Sequence, residues 1–398
     1  MRITGAVLEE SGRTRPFAAS RPITVGELEL GDPGPTELLV KVEAAGVCHS
    51  DLSVVDGNRL RPTPMLLGHE AAGIVVAVGA AVTDLAPGQR VVMSFMPRCE
   101  RCAACAEDGR LPCPAGTAAN DAGTLLHRSG PLPHRSRTSL HRSGPSGRGS
   151  ETVHHHLGVS GFATHAVIDR ASAVAVGSDV PPDVAAVLGC AVLTGGGAVL
   201  NVARPAPSDA VMVVGLGGVG MAAIITATAQ GVERIIAVDT IEAKLDRATD
   251  LGATETYTPA QVERLGIKAR YVIECAGHPS AFETAFTATE PGGTTITVGL
   301  PSPAARTSLS PLTVTAEART VVGSYLGSAV PSRDIPRYAQ LWRDGKLPVE
   351  KLISSRIELG GINEAMDLLA DGLAVRQVIL FDPAEERSER GGQTAPAS

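Results

Sequence analysis

The run VMVVGLGGVGMAAIITATAQ, residues 211–230, restricts this chain more than any other stretch. An apolar strand passes directly into a G-x-G-x-x-G turn made by Gly215, Gly217 and Gly220, with Gly218 and Val219 inside it, and the turn opens a helix. The first glycine closes the turn and the second lets backbone approach a pyrophosphate. The third lets the helix pack on its sheet, with the anion at the helix N-terminus. The next strand, IIAVD, ends in Asp239, nineteen residues after Gly220, where a carboxylate can hold a ribose 2′-hydroxyl. Thr240 and Ile241 follow, so no adjacent cation awaits a 2′-phosphate, and the pattern favours NAD over NADP. Helix EAKLDRATDLG, strand YVIECAG, helix SAFETAFTAT and strand TTITVGL continue the alternation. Units of this kind build a parallel, doubly wound sheet.

The chain is longer than one ordinary core fills, so two domains are expected over its 398 residues. Residues before about 110 read differently. LLVKVEAAGVC, AAGIVVAVG and QRVVMSFM are short β segments punctuated by Gly and Pro. Helix INEAMDLLADG and strand RQVILFD close the ordered part, and the polar tail 384–398 reads as disordered. A net charge of -7 opposes nucleic acid or an anionic membrane as partner. No apolar run approaches the roughly 18 to 20 residues that span a bilayer, and MRITGAVLEESGR has no signal pattern, so a cytoplasmic location is expected.

Four of the seven cysteines, Cys99, Cys102, Cys105 and Cys113, fall in C-x2-C-x2-C-x7-C. Disulfides are one reading. Short strained loops and a reducing compartment favour a closed, structural zinc instead, with iron–sulfur ligation as the alternative. Upstream lie Cys48 in GVCHSDL and His69 with Glu70 in LGHEAAG, each of which alone would suit packing. Cys275, in VIECAG, reads as a small buried hydrophobe. His154, His155 and His156 are adjacent, and neighbouring side chains of an extended segment point to opposite faces, so pocket lining and exposure are expected rather than a third metal. Between residues 120 and 153 an insertion repeats LHRSGP and carries five arginines with no acid between Asp121 and Glu151. It reads as a solvated loop or as a basic flap guiding an anionic substrate.

GVCHSD, GHEAAG, the four-cysteine lobe and GLGGVG, in this order, resemble the zinc-dependent medium-chain alcohol dehydrogenases. LGCAVLTGGGAVLNVA and VRQVILF are similar to the liver-class, formaldehyde-dehydrogenase-like and aryl alcohol dehydrogenase branch. The resemblance implies an α/β chain with a mostly-β, GroES-like catalytic domain, residues 1–191 and 329–383, bearing the zinc lobe 95–115. A Rossmann NAD-binding domain would span 192–328. It implies two Zn2+ ions per chain. Cys48, His69 and Cys190 would hold the catalytic one, with Ser50 on the alcohol hydroxyl, Asp51 supporting the metal and Glu70 beside it.

By the same match, His49 and Arg376 meet the pyrophosphate, Thr194 and Val219 the nicotinamide, and Lys244 the adenosine ribose beside Asp239. Phe95 and His156 line the substrate pocket. The activity implied is reversible oxidation of a primary alcohol, aromatic ones included, by a homodimer or homotetramer. A thiol-adduct formaldehyde dehydrogenase acting on S-hydroxymethyl glutathione or mycothiol is the alternative, and a non-catalytic zinc and NAD redox sensor the remote one. Two departures stand out: Ser53 occupies the position of the relatives' proton-relay histidine, and the basic insertion replaces their loops.

Overall fold

The computed structural model describes residues 1–107, 110–126, 140–143 and 150–381. The alternating segments form a six-stranded parallel sheet. Its spatial order is Glu255–Tyr257, Arg234–Val238, Ala210–Val214, Ala269–Glu274, Thr289–Thr297, Thr320–Gly323. The earliest of these strands lies inside the sheet, so chain order reverses beside it, which is the doubly wound, Rossmann-like arrangement. Its residues feed two cores: Val211 and Val213 pack into one, Met212 and Val214 into the other. A strand covered on both faces needs such an unbroken apolar run.

The remaining strands are mostly antiparallel. Glu37–Val47 is their axis, pairing along one side with Glu70–Val78. On its other side the first half takes His165–Asp169 and the last takes Gln377–Leu380. The chain therefore comes back from the parallel sheet to complete the one it left. A second sheet runs Ser150–Thr152, Leu140–Ser143, Ile23–Leu30, Arg2–Leu8, Met65–Leu66, His154–His155.

Part of the basic insertion thus belongs to a sheet rather than to a loop. Leu140 is fully buried with Ile3, Val7 and Leu28. Arg142 bridges two carboxylates, Glu9 at 2.6 Å and Glu151 at 2.7 Å. An apolar side chain with a core to fill, and a cation with two acids to meet, fix the segment where composition alone suggested solvent. Residues 127–139 and 144–149 of the insertion, and the tail from 382, lie outside the described residues.

The helical stretch Pro182–Ala203 corrects another expectation, since it is long and apolar enough to cross a membrane. It serves as a core helix, 89% of its apolar window being buried. Two π-helical turns interrupt it, Leu188–Val192 and Ala198–Ala203. Such turns reset side-chain phase and concentrate at functional sites. Cys190 lies on the first.

Candidate catalytic metal site and nucleotide cleft

Strand register assembles the first cluster. Gly46 pairs with Glu70, which sets Cys48, just past one strand end, beside His69 at the start of the next. A Cβ at Gly46 would come within 2.8 Å of the Glu70 carboxyl carbon, so glycine makes the room. Cys48 caps helix His49–Val55, and its N–H donates to Asp51 Oδ2 at 3.0 Å. The other oxygen, Asp51 Oδ1, meets His69 Nδ1 at 3.0 Å. With Nδ1 carrying the proton, His69 Nε2 is left as a lone-pair donor, 3.4 Å from Cys190 Sγ. The ligand atoms of Cys48, His69, Glu70 and Cys190 all lie within 4.8 Å of one another, and all four residues are buried.

These distances suit a tetrahedral zinc. Bond lengths of about 2.3 Å to sulfur and about 2.1 Å to nitrogen place those two donors roughly 3.6 Å apart. Electrostatics agree. A hydrogen bond from Cys190 holds the Cys48 thiol well below its usual range and lifts Cys190 correspondingly, so the pair shares a proton that a divalent ion would displace. Burial raises the Asp51 carboxyl, but His69 and His156 outweigh it and bring it to about 2. Burial lifts Glu70 to about 8 against the pull of Arg376. Neither Glu70 oxygen accepts a hydrogen bond, although Oε2 is 3.0 Å from an Arg376 nitrogen. A buried carboxyl with idle lone pairs fits a nearby cation.

Cys99, Cys102, Cys105 and Cys113 likewise converge within 4.8 Å. All are free thiols, and Cys102 Sγ lies 4.0 Å from Cys113 Sγ, against the roughly 2.05 Å of a disulfide. Sulfurs on a zinc tetrahedron sit about 3.8 Å apart. The N–H groups of Cys99 and Gly116 both point at Cys113 Sγ, each at 3.4 Å. Four thiols leave no open ligand position, which marks this as a structural zinc site. The first cluster, with two sulfurs and one imidazole, leaves one.

One cleft of about 350 Å³ joins the first cluster to the glycine turn. Cys48, His49, Ser50, Phe95, Cys190 and Thr194 line one end, and Gly215, Gly217, Gly218, Val219, Asp239 and Lys244 the other. Gly215 has φ +93, and a Cβ on Gly220 would sit 2.0 Å from the Gly215 carbonyl oxygen, so both positions demand glycine. Arg376 stitches the ends together. It donates to the Val47 carbonyl at 3.1 Å, and a Cβ on Gly218 would strike its guanidinium at 2.3 Å. The Asp239 carboxylate also holds the turn, accepting from Leu216 N–H at 2.7 Å and Ile241 N–H at 3.0 Å.

Some residues fall elsewhere than the sequence suggested. His156 is absent from the cleft wall. It sits fully buried, its Nδ1 3.2 Å from Asp51 Oδ1 and its ring edge-on to His69. His155 is buried too, against Ser160, so exposure does not describe the histidine run. Cys275, just past its strand end, packs against the core as expected and also lines the cleft. Ser53 donates its hydroxyl hydrogen to the His49 carbonyl at 2.8 Å. Arg59 and Tyr325 also line the cleft. Neither stands in a motif, so no local signal announced them.

A dinucleotide-type crevice opening onto a Cys–His–Cys centre defines a metal-dependent oxidoreductase. Residues 34–130 match the alcohol dehydrogenase GroES-like domain, and residues 218–343 match the zinc-binding dehydrogenase family. A putative alcohol dehydrogenase D of Mycobacterium tuberculosis is 33% identical over 390 residues, covering 96% of this chain and 100% of that protein. An alcohol dehydrogenase zinc-binding domain protein from Burkholderia ambifaria superposes with TM-score 0.85 at 29% identity, covering 96% of this chain and 99% of the other. Benzyl alcohol dehydrogenase from Acinetobacter calcoaceticus does so with TM-score 0.82 at 27% identity, covering 96% and 100%. The chain belongs to the zinc-containing medium-chain alcohol dehydrogenase family. It is accordingly a zinc-dependent oxidoreductase acting on alcohols.

Proposed function

We propose that the protein oxidises a primary alcohol, aromatic alcohols included, to the aldehyde with NAD as hydride acceptor, and runs the reaction in reverse. The observation that carries this is the single cleft shared by the Cys48–His69–Cys190 cluster and the glycine turn. Similarity to benzyl alcohol dehydrogenase and the ring of Phe95 at the cleft support an aromatic substrate.

Cys48, His69 and Cys190 would hold the catalytic zinc, with Glu70 in reach, and the four-cysteine lobe the second ion. When bound, zinc supplies Lewis acidity that lowers an alcohol's pKa, and NAD supplies the hydride acceptor. The residues of the chain do the rest. Asp51 fixes the His69 ring and the Cys48 backbone together, so two ligands keep one geometry. Ser50 stands beside Cys48 on the cleft wall and takes the hydroxyl proton of the substrate. Ser53 already donates its own hydrogen to a carbonyl, which leaves its oxygen to accept. Onward passage of the proton to bulk water therefore runs through solvent rather than an imidazole.

At the far end, Asp239 and Lys244 flank the adenosine ribose. His49, Arg376 and the N-terminus of helix Gly218–Ala229 meet the pyrophosphate, and Thr194 and Val219 the nicotinamide. A homodimer or homotetramer is supported by the terminal strand Thr320–Gly323, whose outer edge is unpaired among the described strands and whose Val321 is exposed. The deciding experiment is an NADH-absorbance screen over aliphatic, aromatic and thiol-adduct alcohols, with zinc measured on the same sample. Turnover of neutral aryl alcohols is expected. Turnover confined to formaldehyde plus a thiol would replace this reading with the thiol-adduct one.

A further inference from the structure

The cleft contains a cation that neither the fold nor the reaction above employs. Arg59 lines it, half-buried, and its guanidinium has no hydrogen bond or ion pair among the described residues. The nearest acid in sequence, Asp56, is already taken, and so is Asp121. Asp56 accepts from the Asn58 N–H and from its side-chain amide, each at 2.8 Å. Asp121 is held by Arg61. Arg59's own N–H donates to the Ser53 carbonyl at 2.7 Å, folding the residue back onto the helix that carries Ser50.

Two aromatic rings line the same cleft beside the metal cluster. Phe95 packs edge-on to His69, 5.5 Å between ring centres, and Tyr325 packs edge-on to Phe95 at 5.9 Å. Arg59 shares the cleft with both rings and with Cys190. A cation drawn partly out of water without a partner costs free energy, and an arriving carboxylate recovers it through paired N–H···O contacts. The guanidinium fork suits a carboxylate better than an ammonium would.

We propose that Arg59 is a specificity-determining residue that selects alcohols bearing a carboxylate remote from the hydroxyl, across a flat apolar body. The proposal rests on the alcohol-oxidation reading. The anion is assigned to the substrate because the reading above already gives the cofactor phosphates their partners in Gly217, Gly218, His49 and Arg376, all of which line the cleft.

The test compares 4-(hydroxymethyl)benzoate with benzyl alcohol on the zinc-loaded enzyme, in the parent, Arg59→Leu and Arg59→Lys. The parent should prefer the carboxylate, and Arg59→Leu should cut the ratio of kcat/KM values by about tenfold to a hundredfold, the range for a charged hydrogen bond. Most of that loss should fall on KM of the carboxylate, with Arg59→Lys between the two and the NADH dissociation constant within about twofold. Absence of a carboxylate preference in the parent overturns the proposal. So does a ratio unchanged in Arg59→Leu, or an effect that falls on NADH or NADPH binding instead. Should neither alcohol turn over, the dehydrogenase reading is what fails. Calorimetry of benzoate binding in the presence of NADH still decides: binding lost in Arg59→Leu supports the assignment, and binding retained overturns it.

Discussion

Arg376 and Glu70 form an ion pair of 3.0 Å with both side chains sealed from solvent, one facing the glycine turn and the other the zinc ligands. A bound zinc would hold the Glu70 carboxyl ionised, and removing one member of the pair then strands the other's charge. Glu70→Ala should therefore lower unfolding free energy by about 3–5 kcal/mol. Urea denaturation of zinc-loaded protein measures it, and a loss below about 1 kcal/mol would show that Arg376 finds another counter-charge.

Cys48→Ala and His69→Ala should each abolish turnover, drop zinc from two ions per chain to one, and leave NAD binding in place. Metal analysis beside cofactor fluorescence titration checks this. Near-parental turnover in either variant would remove the catalytic-zinc assignment.

Cys102→Ser should behave differently. The lobe holds its own cluster, and none of its four cysteines lines the cleft beside the glycine turn. Loss of one zinc with Tm lower by several degrees is expected, and residual activity at low temperature. Unchanged melting and zinc content would count against a metal there.

Asp239→Gly should weaken NAD about tenfold and narrow its advantage over NADP. It removes the ribose partner as well as the carboxylate that braces Leu216 and Ile241. KM values for both cofactors report the ratio, and an unaltered ratio retires the assignment.

Asp51 gives a pH signature. Its folded pKa of about 2 lies below the unfolded value, so its contribution is complete above about pH 4 and disappears as pH falls through 2. Metal-stripped Asp51→Asn should be about 2 kcal/mol less stable at neutral pH. The gap between parent and variant should close between about pH 4 and pH 2, and a gap independent of pH there would assign the loss to packing.

What the sequence disclosed depended on how local each signal is. The glycine turn and the four-cysteine lobe are contiguous, and their spacing alone states the chemistry. Cys48 and His69 meet because Gly46 pairs with Glu70, a register no short window contains. Cys190 sits in LGCAV, which reads equally as core, and the π turn that aims it leaves no mark in composition. Arg376 arrives more than three hundred residues after Val47, whose carbonyl it binds. The fold class was legible from alternation, whereas the cleft-facing position of Cys275 was not, because its strand stops one residue short of it.

Leu140 and Arg142 carry a last consequence. A decorative excursion of the chain can be trimmed away, but this one has sunk a leucine among Ile3, Val7 and Leu28 and tethered two acids beside it. Cutting out the whole segment would open a hole worth about 2–5 kcal/mol and bare the edge of the Ile23–Leu30 strand. Any lineage or engineer wishing to shorten the protein must first supply another plug.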